Sequence, residues 1–472
     1  MKEIMGTSNR VLVVDLGTEE VQIHPVSEGD RKEYLGGKGL GLKLIYDLLK
    51  PGIDPLSEEN AIAFMPGVLM GTGAPCSGRF AAVTKSPLTG IMTSSSCGGP
   101  FGMQLKTAGW DGLVVKGRAS KPTYMVVTEE GVLFEDAKEV WGLDAWSAQE
   151  RLAGKAPGVL AIGPAGENLV RYANIVSGRR YLGRGGMGAV MGAKNLKGIV
   201  AKGGVYKIRP RDKKGFAKAK KKGSGYLNAN RMTSILYRDF GTAANVNINN
   251  SAGILPVRNF RDGMHRRAHE ISGEAMREGH NTRHHTCKPC TILCGHKGEF
   301  DGKELPVPEY ETVVLLGSNM GIFDPSRIAE WNRICGEMGM DTISTGATIA
   351  WVMEATEKGL LESGLSFGSP EGVSEILYDI AYGRGLGKEM GLGTRAMSKK
   401  HGGEDFAIHV KGLEMAAYDP RGAFGQGLSY AVANRGGCHL SAYPLALEIM
   451  FGLLDPYRTD AKAEFTRFLE SL

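Results

Sequence analysis

Cysteine is scarce in this chain, with seven residues among 472. Disulfide scaffolds of secreted proteins are short and dense in cysteine, and an odd count leaves one thiol over. Long apolar stretches are also missing: no run of about 18 apolar residues occurs, and the opening residues contain no apolar signal-peptide core. These absences exclude a disulfide framework, and they predict a cytoplasmic protein with no membrane span.

Charge of one sign is not in large excess either, because the formal net charge is only +6. Nucleic-acid-binding domains concentrate lysine and arginine much more strongly on one face, so we expect no nucleic-acid partner. The one basic stretch, residues 209–223, is interpreted as a domain linker that leads into a helix with a solvated face. A contact with a polyanion is the less favoured alternative for this stretch.

Two kinds of periodicity divide the chain. Short β-rich runs separated by turn residues fill the first third, and helical spacing of apolar residues dominates from about 213 to 400. Predicted strands are 10–16, 21–26, 61–65, 112–116, 124–128 and 132–134, and predicted helices are 39–49, 324–339 and 372–383. The pattern predicts an α+β protein with a β-rich domain at 1–207, a helical domain at 208–407 that carries a cysteine loop, and a partial third helical domain at 408–472.

Three of the seven cysteines are clustered. Cys287, Cys290 and Cys294 follow C-x2-C-x3-C spacing, and Pro289 and Gly295 favour a tight loop in which the three thiolates can turn toward one point. Three thiolates from one loop, with a fourth ligand from elsewhere, suit a [4Fe–4S] cluster. A zinc site is the alternative, although zinc commonly takes its ligands as two separated pairs. Three buried thiols that act as small hydrophobic side chains are the remaining interpretation.

Glycine-rich stretches lie between the predicted strands, at 71–80, 93–102 and 183–192. Two of them carry an arginine, Arg79 and Arg184. Glycine lets the backbone approach a ligand closely, and backbone N–H groups with an arginine can hold phosphates. Residues 183–188 also fit the bare G-x-G-x-x-G dinucleotide pattern, but no βαβ context supports it, and simple turns are the other alternative. Together the three stretches indicate a site for a large anionic cofactor.

Several motifs resemble those of the aldehyde:ferredoxin oxidoreductase family. The matching stretches occur in order along the chain and are 73–80 (GAPCSGRF), 85–90 (KSPLTG), 162–168 (IGPAGEN), 188–197 (GAVMGAKNLK), the cysteine loop, 308–312 (PEYET) and 341–346 (DTISTG). The resemblance runs from about residue 10 to the end of the chain.

This resemblance implies a fold, a cofactor set and an activity. The family holds tungsten, or sometimes molybdenum, between two pterin dithiolenes, with a [4Fe–4S] cluster beside one pterin that passes electrons to ferredoxin. An N-terminal β-rich domain, here 1–207, forms the base for the two pterins, and helical domains close over them. The implied reaction is oxidation of an aldehyde to a carboxylic acid, with ferredoxin or a similar carrier as partner and a homo-oligomer as a candidate assembly.

Roles carried over by position cover both cofactors. The resemblance implies that the cluster is ligated by Cys287, Cys290 and Cys294. It implies that Arg79 contacts a pterin phosphate and that Ser96 and Gly98 face the pterin. The backbone that holds the second pterin is formed by Arg184, Gly185, Gly186 and Gly188. Short segments beside a pterin contribute Met340, Asp341 and Arg435.

Proton transfer is assigned to Glu311 and His439. A carboxylate can take a proton from attacking water, and histidine can donate one to a carbonyl oxygen. The position of each residue in the family motifs favours these roles, although a buried acid paired with an arginine and a structural histidine are the ordinary alternatives.

The source of a fourth cluster ligand is left open by the sequence. In the family this ligand lies in a downstream segment, which the 472 residues do not include, so the chain is expected to lack the family's C-terminal part. Cys335 and Cys438 are the remaining cysteines of the helical region, and neither occupies the family position. Two further interpretations are a subunit of a tungsten-dependent aromatic acyl-CoA reductase and an inactive, truncated cofactor-binding protein.

Overall fold

The computed structural model describes residues 2–154, 157–287 and 289–471. Two predicted domain ends, Met1 and Leu472, and Lys288 of the cysteine loop lie outside the described residues. The chain forms two compact units. Unit 1 consists of Met1–Arg231, Cys287–Ile292 and Gly336–Asp341, and unit 2 consists of Met232–Thr286, Leu293–Cys335 and Thr342–Leu472.

Unit 1 contains two six-stranded sheets and one two-stranded pair. The strands are β1 (Lys2–Met5), β2 (Arg10–Asp15), β3 (Val21–Pro25), β4 (Ile62–Pro66), β5 (Phe80–Lys85), β6 (Met92–Cys97), β7 (Gly112–Lys116), β8 (Thr123–Val127), β9 (Val132–Asp136), β10 (Gly158–Ala161), β11 (Ile175–Ser177), β12 (Arg180–Leu182), β13 (Leu196–Ala201) and β14 (Tyr206–Arg209). Their orders are β3-β2-β7-β4-β5-β6, β12-β11-β10-β13-β8-β9 and β1-β14. Within the six-stranded sheets, only the pairs β2–β7 and β13–β8 are parallel.

Seven helices join these strands in the described part of unit 1. They are α1 (Glu28–Tyr34), α2 (Gly37–Leu48), α3 (Pro100–Thr107), α4 (Ala145–Ala153), α5 (Pro164–Glu167), α6 (Met187–Ala193) and α7 (Lys213–Ala229). Aspartate side chains cap α4 and α7, because Asp144 and Asp212 each accept two backbone N–H groups of the first turn. Helix α7 has no buried residue, as expected for the basic stretch that begins it.

The core of unit 1 lies on both faces of the sheet that contains β4. Side chains alternate between the faces of a strand, so Ile62 and Phe64 pack in the larger hydrophobic cluster, and Ala63 and Met65 pack in a second cluster with helix α2. Every residue of β4 is therefore buried. This explains why the strand is a continuous apolar run without alternating polar residues.

Unit 2 is mostly helical. Its helices are α8 (Tyr237–Phe240), α9 (Asn245–Ser251), α10 (Gly273–Gly279), α11 (Tyr310–Leu315), α12 (Pro325–Met338, whose last residues are counted in unit 1), α13 (Thr342–Glu357), α14 (Val373–Tyr382), α15 (Gly385–Met390), α16 (Thr394–His401), α17 (Phe424–Val432) and α18 (Lys462–Ser471). Its strands are β15 (Arg283–His284), β16 (His296–Phe300), β17 (Lys303–Pro306), β18 (His409–Val410) and β19 (Leu413–Glu414). Helix α13 is the centre of this unit, because residues 343–355 are all buried.

The predicted fold class is confirmed: a β-rich N-terminal region precedes largely helical structure. Two of the glycine-rich stretches also contain regular secondary structure. Residues 92–97 form strand β6, whose backbone pairs with β5, and the third stretch becomes helix α6 at Met187. The sequence did not predict β6, because its serine and threonine residues are typical of a loop. Thr93, Ser95 and Cys97 nevertheless all point to the buried side. Within the described residues, no helix combines the length and the apolar character that crossing a membrane requires.

Candidate functional site

Two of the glycine-rich stretches leave the same end of one sheet in unit 1. Strand β5 begins at Phe80, which pairs with Cys97 at the end of β6. The segment before Phe80 and the glycines after Cys97 therefore start side by side. A Cβ atom at Gly98 would lie 2.5 Å from Sγ of Cys287, so a larger residue there would displace this thiol.

Arg79 and Ser96 meet at this end of the sheet. The guanidinium of Arg79 donates to the hydroxyl of Ser96 at 3.2 Å and also to the Ser96 carbonyl, and both residues are exposed. The nearest atom to a Cβ built on Gly73 is the ammonium nitrogen of Lys220, at 3.5 Å. An exposed arginine and a lysine beside glycine backbone offer positive charge and N–H donors to an anion.

Arg184 of the third glycine-rich stretch lies in a different environment. Its Nε atom donates to Oδ2 of Asp341 at 3.2 Å, and the two side chains are only 7% and 5% exposed. The backbone N–H of Arg184 donates to Ser95 Oγ at 3.3 Å, and the Met340 carbonyl accepts from Asn174 Nδ2 at 2.7 Å. The structure thus brings the predicted residues Arg184, Met340 and Asp341 together in unit 1.

Gly186 and Gly188 of the third stretch pack closely against the protein backbone. Gly186 has a φ of 74°, and a Cβ on it would lie 2.0 Å from the Arg171 carbonyl oxygen. Gly188 is buried in helix α6, where a Cβ would lie 2.3 Å from the Asn174 carbonyl oxygen. Gly183, by contrast, has nothing within 4 Å of its Cβ position, which leaves space beside the stretch.

Cysteines 287 and 290 lie against the end of the same sheet. The Sγ atom of Cys287 faces Gly98, and Cys290 lies beside Cys76. Burial and the neighbouring Cys290 raise the pKa of Cys76, while burial holds the pKa of Cys97 well above its usual value. Cys294 belongs to unit 2, where its carbonyl oxygen is 3.1 Å from Nδ1 of His296.

The two residues predicted to transfer protons are neighbours in unit 2. Glu311, in the first turn of α11, has Oε1 at 3.6 Å from Nε2 of His439, and the side chains are 16% and 13% exposed. The other oxygen, Oε2, accepts the backbone N–H of Ala417 at 2.8 Å. This hydrogen bond fixes the rotation of the carboxylate, so the remaining oxygen faces the histidine.

Three tyrosines surround this pair. The hydroxyls of Tyr418 and Tyr443 are 3.1 Å apart, Tyr310 stacks on Tyr418 and donates to the Ala417 carbonyl at 2.6 Å, and the His439 ring centre is 6.0 Å from that of Tyr418. Burial raises the pKa of all three phenols, and the charge of Glu311 adds to the effect. The phenols therefore stay protonated and can act as hydrogen-bond donors.

Arg435 lies next to a cysteine. Its Nε donates to Sγ of Cys438 at 2.9 Å, and the backbone N–H of Leu440 donates to the same sulfur at 3.2 Å. Burial opposes ionisation of Cys438, but the charge of Arg435 and these donors lower its pKa overall. The hydrogen bond to Cys438 thus orients the guanidinium of Arg435, which the sequence predicts to lie near a pterin.

Some residues of the site were not predicted from the sequence. The tyrosines could have been suspected, because Tyr310 precedes Glu311 and Tyr443 follows His439 by four residues. The proximity of Cys76 and Cys290 could not, since the two residues are 214 positions apart and no spacing rule connects them. Among the described residues, histidine, cysteine, aspartate and glutamate form no set of three with the geometry of a metal site.

The residues present fit the cofactors that the resemblance implied. The exposed Arg79, Lys220 and the open space at Gly183 suit an anionic group with phosphates. The position of Cys287 against Gly98 and of Cys290 beside Cys76 brings thiols of separate segments together, which suits a group bound through sulfur.

Family models match almost the whole chain. The model described as aldehyde ferredoxin oxidoreductase, N-terminal domain, matches residues 11–203, and the model described as domains 2 and 3 of the same enzyme matches residues 218–472.

Individual relatives agree with these models. The chain is 41% identical to the tungsten-containing aldehyde ferredoxin oxidoreductase of Pyrococcus furiosus and 40% identical to that of Thermococcus kodakarensis, in each case over 96% of this chain and 77% of the relative. Among solved structures, the active site complex BamBC of benzoyl coenzyme A reductase shares the fold, with a TM-score of 0.80 and 24% identity over 99% of this chain and 76% of that one. This protein belongs to the aldehyde ferredoxin oxidoreductase family of tungsten-containing oxidoreductases.

Proposed function

We propose that this protein oxidises aldehydes to carboxylic acids and passes the electrons through a [4Fe–4S] cluster to ferredoxin. In the balanced reaction, one aldehyde and one water give one carboxylic acid, two protons and two electrons. The observation that carries the proposal is the contact of Glu311 with His439, at 3.6 Å in a largely buried site lined by protonated tyrosines. Relatives at 41% and 40% identity are named tungsten-containing aldehyde ferredoxin oxidoreductases.

A tungsten (or molybdenum) bis-pterin, when bound, would supply the acceptor for the two electrons. The residues that would hold it fall into an exposed cationic group and a buried supporting group. Arg79 and Ser96 form the first, with Gly98 beside them, and Arg184 with Asp341 forms the second. The remaining candidates for contacts with the pterins are Gly185, Gly186, Gly188, Met340 and Arg435.

Glu311 is proposed as the general base. Its Oε2 atom is held by the N–H of Ala417, so Oε1 is presented in one orientation and can take a proton from water. His439 stands within reach of that oxygen and can receive the proton or donate one to the substrate oxygen. The hydroxyls of Tyr418 and Tyr443 can orient a polar substrate, because their raised pKa keeps them protonated.

Electron transfer out of the protein is assigned to the cysteine loop. Cys287, Cys290 and Cys294 are proposed as thiolate ligands of the cluster. Support comes from their spacing and from the half-buried position of all three, which shields an iron–sulfur cluster and still leaves an approach for a carrier protein.

Anaerobic expression with tungstate tests the proposal. Purified protein is analysed for tungsten, molybdenum, iron and sulfide, and aldehydes of different size are assayed with ferredoxin as acceptor. The expected result is tungsten and iron in the protein and aldehyde-dependent reduction of ferredoxin. Protein that carries both metals but reduces no ferredoxin with any aldehyde would contradict the proposal, and growth on molybdate would identify the preferred metal.

A further inference from the structure

Helix α7 of unit 1 concentrates positive charge. It contains six lysines and no acidic residue, and all six lysines are exposed. None of them forms an ion pair with another residue that the structure describes. The six lysines equal the whole formal net charge of +6, so the rest of the chain contains as many acidic as basic residues. The net positive charge of the protein therefore coincides with one helix.

Four of these lysines share one face of α7. They follow the i, i+4, i+7, i+8 spacing that places side chains on the same side of an α-helix. This lysine stripe consists of Lys214, Lys218, Lys221 and Lys222. Phe216 and Leu227 lie on the opposite side and are partly buried. Like charges at these spacings repel each other and weaken a helix, and a bound anionic partner would relieve that repulsion.

The side of α7 away from the stripe lies against the first glycine-rich stretch. A Cβ atom built on Gly73 would lie 3.5 Å from Nζ of Lys220. A Cβ atom built on Gly223 of the helix would lie 3.8 Å from Cγ of Pro75. These two contacts place α7 beside the segment that precedes strand β5.

The cysteine loop reaches the same end of the sheet within unit 1. Strand β5 begins at Phe80, which pairs with Cys97 at the end of β6. The next residue, Gly98, lies against Sγ of Cys287. Helix α7 and the first thiol of the cysteine loop therefore pack on neighbouring segments. A protein bound along α7 would lie at the end of the sheet to which the proposed function assigns the iron–sulfur cluster.

We propose that the lysine stripe of α7 is the docking surface for an acidic electron carrier, a small iron–sulfur protein of the ferredoxin type. The proposal rests on the proposed function, and it assigns the surface at which its electron acceptor binds. A positive patch on a protein that is otherwise neutral steers an acidic partner and speeds its association. Lysine ammonium groups suit this role, because they are hydrated point charges that need no fixed geometry.

Tyr226 adds an aromatic contact at the edge of the stripe. Its side chain is 66% exposed, and Nζ of Lys222 lies 5.8 Å from the centre of its ring. Tyrosine is enriched in protein–protein interfaces. A nucleic acid is the less favoured partner, because α7 contains no arginine, the residue that binds phosphates and guanine edges in bidentate fashion.

Charge reversal of the stripe tests the proposal by binding, without any need for turnover. The metal-loaded protein is titrated anaerobically with a purified acidic ferredoxin of the two-cluster type, and Kd is measured by calorimetry at several salt concentrations. In Lys214→Glu/Lys218→Glu/Lys221→Glu, Kd at low salt is expected to rise about tenfold or more, since steering of this kind changes association by that factor. The wild-type Kd should rise with salt, and the variant should lose this dependence.

The control changes the net charge equally at other places. Lys50→Glu/Lys138→Glu/Lys388→Glu reverses three exposed lysines outside α7 and is expected to keep the wild-type Kd. Lys220 is left unchanged in both variants, because it lies beside the stretch proposed to hold an anionic cofactor. Glutamate is as good a helix former as lysine, so circular dichroism spectra should match the wild type.

Electron transfer provides the second measurement. With an aldehyde as donor, kcat/KM for ferredoxin should fall about tenfold or more in the α7 variant. Reduction of a small viologen dye, which needs no docking surface, should not fall. Equal Kd in the wild type and the α7 variant would overturn the docking surface and leave the proposed function intact.

Two further outcomes would overturn the docking surface. One is a wild-type protein that binds no ferredoxin. The other is a wild-type protein that binds a DNA or RNA oligonucleotide more tightly than ferredoxin and loses this binding in the α7 variant, which would identify a polyanion site. Ferredoxin binding that depends on the stripe, in a protein that oxidises no aldehyde, would support the docking surface and refute only the proposed aldehyde oxidation.

Discussion

Arg184 and Asp341 are 157 positions apart in the chain and form an ion pair buried in unit 1. The pair links the third glycine-rich stretch to the short segment Gly336–Asp341, which is counted with the β-rich unit although helical sequence surrounds it. A buried charge is costly to leave unpaired, so each residue depends on the other. The ion pair therefore holds the two predicted pterin-contacting segments in a fixed relation.

Loss of this ion pair is expected to destabilise the protein. Asp341→Asn keeps the shape of the side chain and removes the charge, and the unpaired Arg184 should then lower the free energy of unfolding by about 3–5 kcal/mol. Chemical denaturation monitored by circular dichroism measures the change. The control is Asp136→Asn, which breaks the exposed pair with Lys121 and should leave the denaturation midpoint nearly unchanged. Equal midpoints for Asp341→Asn and the control would contradict a structural role for the pair.

The sequence predicts the strands and helices best where periodicity is strong. Strand β7 and helix α14 are found where the pattern of apolar residues placed them. Strand β6 was not predicted, because its serines and threonine are residues typical of loops. Its backbone forms a strand by pairing with β5. Local sequence preferences carry no information about such a long-range partner.

The site was predictable to a different degree for different residues. Glu311 and His439 were selected from motifs, and their contact across 128 positions follows from the fold of unit 2. The proximity of Cys76 and Cys290 could not be predicted, since it depends on which end of the sheet the cysteine loop reaches. Spacing rules describe ligands within one loop, whereas tertiary structure decides which other segment lies beside them.

Gly98→Ala is expected to disturb the cysteine loop without unfolding the protein. The added Cβ would lie 2.5 Å from Sγ of Cys287, so this thiol must move. Reconstituted Gly98→Ala should therefore bind less iron than the wild type, with an unchanged circular dichroism spectrum. Gly225→Ala is the control, because its Cβ meets nothing within 4 Å and it lies in helix α7. Normal iron content in Gly98→Ala would show that the Cys287 thiol does not need its present position.

Lys194 is expected to make the stability of unit 1 depend on pH. Its side chain is fully buried and donates to the carbonyls of Glu58, Asn60 and Gly117, and burial lowers its pKa from 10.5 to about 7. Between pH 7 and 10.5 the unfolded chain binds a proton that the folded chain lacks. The free energy of unfolding should therefore rise with pH in this window, by at most about 1.4 kcal/mol per pH unit from this group.

Replacement of the lysine isolates this contribution. Lys194→Met should show a smaller rise in the free energy of unfolding between pH 7 and 9.5 than the wild type, as measured by urea denaturation at several pH values. Lys121→Met, which removes an exposed lysine, should keep the wild-type dependence. Parallel curves for the wild type and Lys194→Met would show that Lys194 keeps its proton throughout.

Glu311→Gln is expected to lower the rate of aldehyde oxidation by about 100- to 10,000-fold, because a positioned general base contributes about that factor. Glutamine keeps the hydrogen bond from the Ala417 N–H but cannot take a proton, so kcat should fall much more than KM changes. Tungsten and iron contents must equal those of the wild type for the comparison. Glu309→Gln, which alters an exposed carboxylate two residues earlier, should keep wild-type kcat. If Glu311→Gln retained full kcat with both metals bound, the contact with His439 would be structural, and the base would have to be sought elsewhere.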